Sequence, residues 1–340
     1  MTALRTSTPT VDVMRLLNPW QHHFPLVAEP YADLARVTGE SVGWVLAQLE
    51  EALRSGVLSR IGGVFSAQAG GAALLAAMRV PLERLEAVAA QVSAHLGVNH
   101  NYEREADYNL WFVMTTRCPQ SLEEALQRIE RETGLQVLRL RMIKPYCIDL
   151  GFDMTCAPQA RLARSSRASQ AVPSPIAAID QPLAALVEEG LPLVERPFQV
   201  WADALGRSES SVLTTLATWV AQGTLRRFGT VVRHHELGFG ANAMTVFDVP
   251  DAVVDVHGER LSQCPGVTLA YRRERATEWP FNLYCMVHGR EREEVLQLID
   301  ALTHTCGLTG MTRQVLFSRQ RFKQVGARRF RSIPGEVHHA

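Results

Sequence analysis

Lysine is nearly absent from this chain of 340 residues. Lys144 and Lys323 are the only two, and arginine supplies the rest of the 35 basic side chains. The 35 acidic residues balance them, so the formal net charge is zero. A neutral chain is not held on nucleic acid mainly by charge, and no nucleic-acid partner is expected. An apolar run of ~20 residues, the length a membrane span requires, is also missing, so no membrane partner is expected. Residues 1–10 lack the apolar stretch of an export signal, which makes the cytoplasm the expected location. The six cysteines (Cys118, Cys147, Cys156, Cys264, Cys285, Cys306) contain no CxxC pair. They are expected to be free thiols, and no metal site of the protein's own is expected from them. Arginine in place of lysine has one chemical consequence: its planar fork pairs bidentately with carboxylates. The coding bias of a GC-rich genome produces the same usage.

What the chain does have is a repeat. Residues 24–66 align without a gap on 191–233. Pro25-Leu26-Val27 recurs as Pro192-Leu193-Val194, and Leu58-Ser59-Arg60-Ile61-Gly62 as Leu225-Arg226-Arg227-Phe228-Gly229. Residues 97–102 then answer 266–271, and 109–111 answer 282–284, with a short insertion around Trp279-Pro280 in the second copy.

Each copy opens on helices. The stretches 30–37 and 197–205 read as short helices ending at Gly39 and Gly206, and Ser41 and Ser208 are N-cap candidates for the next ones. Val45, Leu46, Leu49, Leu53 and Val212, Leu213, Leu216, Val220 have helical spacing. Gly223 closes the second of these. Helix, tight turn, helix and a glycine-bearing β-hairpin make a winged helix-turn-helix.

A strand–helix–strand–strand–helix–strand unit follows in each copy. The expected strands are 73–80, 98–104, 109–115 and 137–143, then 243–249, 267–273, 282–287 and 312–317. The expected helices are 82–95 and 121–133, then 252–263 and 291–305. That order is ferredoxin-like, βαββαβ. The expected fold is α+β, a duplicated winged helix-turn-helix plus a ferredoxin-like ligand domain. The helix-turn-helix domains span 12–70 and 179–238, and the ferredoxin-like domains span 71–153 and 239–330. Residues 154–178, rich in Arg, Ser, Ala and Pro, read as a linker. The two halves are expected to pack as an intramolecular pseudo-dimer, with further oligomerisation left open.

This domain order resembles the Lrp/AsnC family, which implies a DNA-binding regulator that senses a small ligand. The second helices argue against that reading. Residues 41–55 carry Arg54 against Glu50 and Glu51, and residues 208–222 carry no cation. A groove-reading helix presents Arg, Lys, Asn or Gln to phosphates and bases.

The motifs are narrower. Leu16-Leu17-Asn18, Phe24-Pro25-Leu26-Val27, Arg60-Ile61-Gly62-Gly63-Val64-Phe65, Gly97-Val98-Asn99-His100-Asn101-Tyr102 and Tyr108-Asn109-Leu110-Trp111-Phe112 resemble the siroheme decarboxylases. In the second half Arg226-Arg227-Phe228-Gly229, Arg233-His234, Gly238, Asn242-Ala243-Met244 and Trp279-Pro280-Phe281-Asn282-Leu283 are similar to the partner subunit of that family. The resemblance covers residues ~14–325. It implies an Lrp/AsnC-like fold with two subunits fused, as in the versions that serve haem d1 synthesis. It also implies a carboxy-lyase that turns siroheme, a tetrapyrrole with eight carboxylates, into 12,18-didecarboxysiroheme. The implied reaction is non-oxidative and needs no cofactor, because the iron belongs to the substrate.

Such a reaction needs arginines to hold the unreactive carboxylates and a proton donor poised near neutral pH. His234 matches the family's histidine, and its counterpart is Ala67. His100 matches a first-half motif, and its counterpart is Leu269. These two are the catalytic candidates, one as donor and one as ligand to the substrate's iron or anchor, with the roles undivided. His235 would face the other way on a strand. His288, whose counterpart is Thr115, is held in reserve. Arg226, Arg227, Arg233, Arg272 and Arg273, with Tyr271, His235 and His288, are the substrate-binding candidates. The first half has Ser59, Ser66 and Glu103 at three of those positions and keeps only Arg60 and Arg104. The productive site is therefore expected in the second half, with the first as scaffold and lid.

Overall fold

The computed structural model describes residues 11–148, 173–233 and 241–331. The first half contains α1 (Val11–Leu17), α2 (Pro30–Thr38), α3 (Val42–Arg54), β1 (Leu58–Phe65), β2 (Ala72–Met78), α4 (Leu85–Ala94), β3 (Val98–Arg104), β4 (Leu110–Thr116), α5 (Pro119–Thr133), β5 (Leu138–Leu140) and β6 (Met142–Ile148). The second contains α6 (Gln181–Glu189), α7 (Pro197–Leu205), α8 (Glu209–Ala221), β7 (Leu225–Val232), β8 (Ala241–Asp248), α9 (Val254–Ser262), β9 (Val267–Arg273), β10 (Leu283–Gly289), α10 (Arg292–Thr305) and β11 (Thr312–Gln324).

The helix starts follow the sequence. Ser41 Oγ accepts the Trp44 N–H at 3.1 Å, and Ser208 Oγ accepts the Ser211 N–H at 3.2 Å. Each bond satisfies one amide that the first turn leaves free. The wings depart from expectation. Among the described residues β1 and β7 form no wing hairpin within their own halves; β1 pairs antiparallel with β7, from Leu58↔Val232 to Phe65↔Leu225. The two helix-turn-helix units therefore share one core, which includes Tyr31, Leu49, Phe198, Leu216 and Phe228. Glycine makes the exchange sterically feasible. A Cβ at Gly229 would lie 2.3 Å from Trp20 O, and one at Gly62 would lie 2.6 Å from Val187 O. Each wing strand thus presses on a leading segment of the other half.

The ferredoxin-like units also exchange strands. The nine-stranded sheet runs β5-β2-β4-β3-β11-β8-β10-β9-β6. Only Arg141 separates β5 from β6, so the two ends of that order are one stretch of chain and the sheet closes on itself. β5 pairs with β2 of its own half, while β6 pairs with β9 of the other. β11 does the same in one piece: Thr312 to Phe317 pair with β8, then Ser318 to Gln324 pair with β3. The last strand of each unit is consequently longer than the expected 137–143 and 312–317. The inner face holds Leu75, Trp111, Met244, Trp279, Tyr284 and Leu316 from both halves. The four ferredoxin-like helices cover the outer faces.

The expected intramolecular pseudo-dimer is the arrangement observed. The end of the expected linker is docked rather than free: Ile176 is buried, with its N–H on Ala69 O at 2.9 Å, and the Ser174 N–H meets Thr224 Oγ1 at 3.1 Å. Residues 154–172 of that segment lie outside the described residues. No described helix is long and apolar enough to cross a membrane.

Candidate active site

Strand alternation selects what faces the interior. On β3 the Asn101 side chain turns outward and donates to Ala89 O of α4 at 3.0 Å. His100 and Tyr102 therefore turn inward, and their rings stack 6.2 Å apart at 18°. His100 is half-buried. Burial, helped by the charge of Arg60, lowers its pKa to about 4, so the imidazole is neutral at neutral pH. Burial raises the Tyr102 phenol, against the pull of Arg104, Arg321 and Arg233. The Arg104 guanidinium lies 5.7 Å from the Tyr102 ring centroid, and its Nη1–H donates to Leu316 O at 2.9 Å. Arg233, directly after the wing strand of the second half, donates to Gly56 O at 3.2 Å. Arg60 donates to Gly63 O at 3.2 Å, and its Nε is buried without a partner.

The repeat places a second copy of this arrangement on β9. Tyr271 is raised to about 12 by burial, with the charges of Arg273 and Arg226 opposing. Arg273 sits 5.1 Å from its ring and donates to Leu140 O at 2.9 Å, as Arg104 does to Leu316. The surroundings differ. Across the ladder Tyr102 faces Arg321 and His100 faces Gln324. Tyr271 faces Pro145 instead, and Leu269 faces Ile148. The counterpart of Arg233 is Ser66. Of the two pseudo-equivalent positions, the one around Tyr102 keeps the histidine and more of the cations. The expectation from the sequence was a site in the second half. Strand exchange carries β7 and β11 across, so Arg233 and Arg321 of the second half meet His100 and Tyr102 of the first.

The other candidates disperse. Arg272 turns to the helical side and pairs with Asp251 at 3.0 Å and Asp255 at 3.4 Å. Arg227 is buried, and its Nη1–H donates to Gln21 O at 3.2 Å inside the helix-turn-helix core. Arg226 is exposed, though its charge reaches Tyr271. His288 is on the inner side of β10, with Nε2 3.2 Å from Asn242 Nδ2 and Nδ1 3.1 Å from Thr268 Oγ1. His234 and His235 lie outside the described residues, directly after Arg233.

Sequence reasoning passed over Arg321 and gave Tyr102, Arg60 and Arg104 no binding role. The repeat marked Arg60 and Arg104 as counterparts of Arg227 and Arg273. Nothing in the sequence marked Arg321, because it lies past the expected end of its strand. Among the described residues no three His, Cys, Asp or Glu side chains converge as a metal site.

The AsnC-like ligand binding domain family matches residues 68–146 and 236–323, and the Siroheme decarboxylase NirDL-like HTH domain family matches 14–58 and 180–226. A siroheme decarboxylase NirDL subunit of Paracoccus pantotrophus is 39% identical over 316 residues, which are 92% of this chain and 96% of that protein. The crystal structure of the siroheme decarboxylase NirDL superposes with a TM-score of 0.67 at 27% identity, covering 93% of this chain and 94% of that one. The co-complex of siroheme decarboxylase NirDL with an iron-uroporphyrin III analogue superposes at 0.66 and 27% identity, covering 94% of each chain. The chain belongs to the siroheme decarboxylase family and is an enzyme.

Proposed function

We propose that this enzyme is a carboxy-lyase that binds siroheme in the pocket of His100 and Tyr102 and removes two of its acetate carboxylates, giving 12,18-didecarboxysiroheme. One observation carries the reading. Arg60, Arg104 and Arg233 each donate to a backbone carbonyl, and none has a carboxylate of the described chain within 4 Å. Elsewhere arginines are neutralised, as Arg139 is by Glu123 and Glu130 and Arg275 by Asp248 and Asp251. Desolvated guanidinium groups left with spare donors suit a ligand that brings its own carboxylates, and siroheme brings eight.

In each half-reaction the acetate loses carbon dioxide, and the electron pair left on the methylene carbon takes up one proton to give a methyl group. The conjugated macrocycle delocalises that pair until the proton arrives. His100, neutral at working pH, has the lone pair a ligand to the substrate's iron needs. His234 is assigned the proton, because it follows Arg233 directly and bound carboxylates keep a nearby imidazolium protonated. The protein contributes no organic cofactor or metal of its own in this scheme. The same reading puts the enzyme in the cytoplasm, in a pathway toward haem d1. Anaerobic incubation with siroheme should lower the tetrapyrrole mass by two carbon dioxide units. Bound but unchanged siroheme would reduce the protein to a carrier.

A further inference from the structure

Residues 325–331 follow β11 as a strap from the barrel to the helix-turn-helix units. The Val325 N–H donates to Asn99 O at 2.8 Å and the Arg328 N–H to Thr115 Oγ1 at 3.3 Å. Arg329 Nη1–H donates to Ser66 O at 2.8 Å, and the Phe330 ring packs edge-on against Phe65 with centroids 5.0 Å apart. The anchor is Glu188, close to the end of α6 and 6% exposed. Its carboxylate accepts the Arg329 N–H at 3.0 and 2.8 Å and the Phe330 N–H at 3.1 Å. Gly326 crosses directly over Arg60: a Cβ there would lie 2.6 Å from Nη1 and 2.9 Å from Cζ.

The repeat supplies a control. The counterpart of Glu188 is Gln21, and that of Arg60 is Arg227, which bonds the Gln21 backbone oxygen. A neutral amide thus serves where the arginine belongs to the core. The carboxylate stands only in the copy whose arginine faces His100. Burial raises the Glu188 pKa to about 7 despite the two amides and the charges of Arg329 and Arg60, so this carboxylate is kept against a desolvation penalty.

We propose that Glu188 is a positioning residue for the decarboxylation: it pins the strap across Arg60 and so aims that guanidinium into the pocket of His100 and Tyr102, where it receives a substrate carboxylate. This rests on the siroheme reading.

The test uses Glu188→Gln, Gly326→Ala, Arg60→Ala and the Glu188→Gln/Arg60→Ala double variant in the full chain. Glu188→Gln should raise KM for siroheme about tenfold and leave kcat within about twofold, since uniform binding is what is lost. The double variant should be no worse than Arg60→Ala alone, because two groups acting through one contact are not additive. Gly326→Ala displaces the Arg60 head while Glu188 is intact, and it should reproduce the KM rise even if Glu188→Gln fails to fold. Trypsin gives a readout independent of siroheme: the bonds after Arg328 and Arg329 should resist in the wild type and be cut in Glu188→Gln. A wild type that leaves siroheme unchanged would overturn the functional reading, while the proteolysis still reports the strap. Unchanged KM in both Glu188→Gln and Gly326→Ala, or effects that multiply with Arg60→Ala, would overturn the proposal.

Discussion

Arg321 stands across from Tyr102 in the β3–β11 ladder, whereas Pro145 stands across from Tyr271 in the matching β6–β9 ladder. The two tyrosines are repeat counterparts, so this difference is a natural test of which position binds. Arg321→Ala should raise KM roughly 10–100-fold, the equivalent of one charged hydrogen bond of about 1.5–3 kcal/mol. Tyr271→Phe should leave KM within about threefold. Steady-state kinetics on both decides it, and a larger effect at Tyr271 would move the site to the second half.

Arg233 and Arg272 make a second contrast. Arg233→Ala should weaken siroheme binding, read by absorbance titration, and Arg233→Lys should restore little because the fork geometry is gone. Arg272→Ala should leave binding unchanged and lower thermal stability modestly, since it breaks ion pairs with Asp251 and Asp255 on the helical side.

The histidines should separate by readout. His234→Ala should lower kcat by ~10²–10⁴ with siroheme still bound, the range for a lost general acid. Activity should also fall as pH rises through the titration of that imidazolium. His100→Ala should change the absorption spectrum of bound siroheme and weaken binding. The His100 spectral signature should persist from pH 8 down to about 5, because its pKa is lowered to about 4. Full activity and an unaltered spectrum in both variants would remove both residues from the mechanism.

Glu188 should leave a mark on stability. Its folded pKa of about 7 lies above the unfolded carboxyl value, so the folded state holds the proton more tightly. Its contribution is fully present below about pH 4.5 and is lost as pH rises through about 7, a difference on the order of 3 kcal/mol. Glu188→Gln should flatten that segment of the curve in denaturant titrations. A slope that survives the substitution would assign it to another group.

Much of this protein was legible in one dimension. The gap-free alignment of 24–66 on 191–233 established the duplication, and Ser41, Ser208 and the glycines before them located the helix-turn-helix boundaries. The strands 98–104 and 267–273 were legible to the residue, because period-2 alternation is a local property. The motifs around His100 and Arg226 pointed to the family.

Partner choice was not legible, because alternation says which face a strand buries and not which strand lies beside it. Only the packed chain pairs β1 with β7, sends β6 to β9 and carries β11 from β8 on to β3. Those exchanges bring Arg233 and Arg321 to Tyr102 and lay Gly326 over Arg60. The sequence by itself determined that there are two related halves and which residue types the site has to draw on. The tertiary structure decided which half's residues meet, because contacts between residues some 130 to 260 positions apart depend on how the closed sheet pairs its strands and on no local pattern.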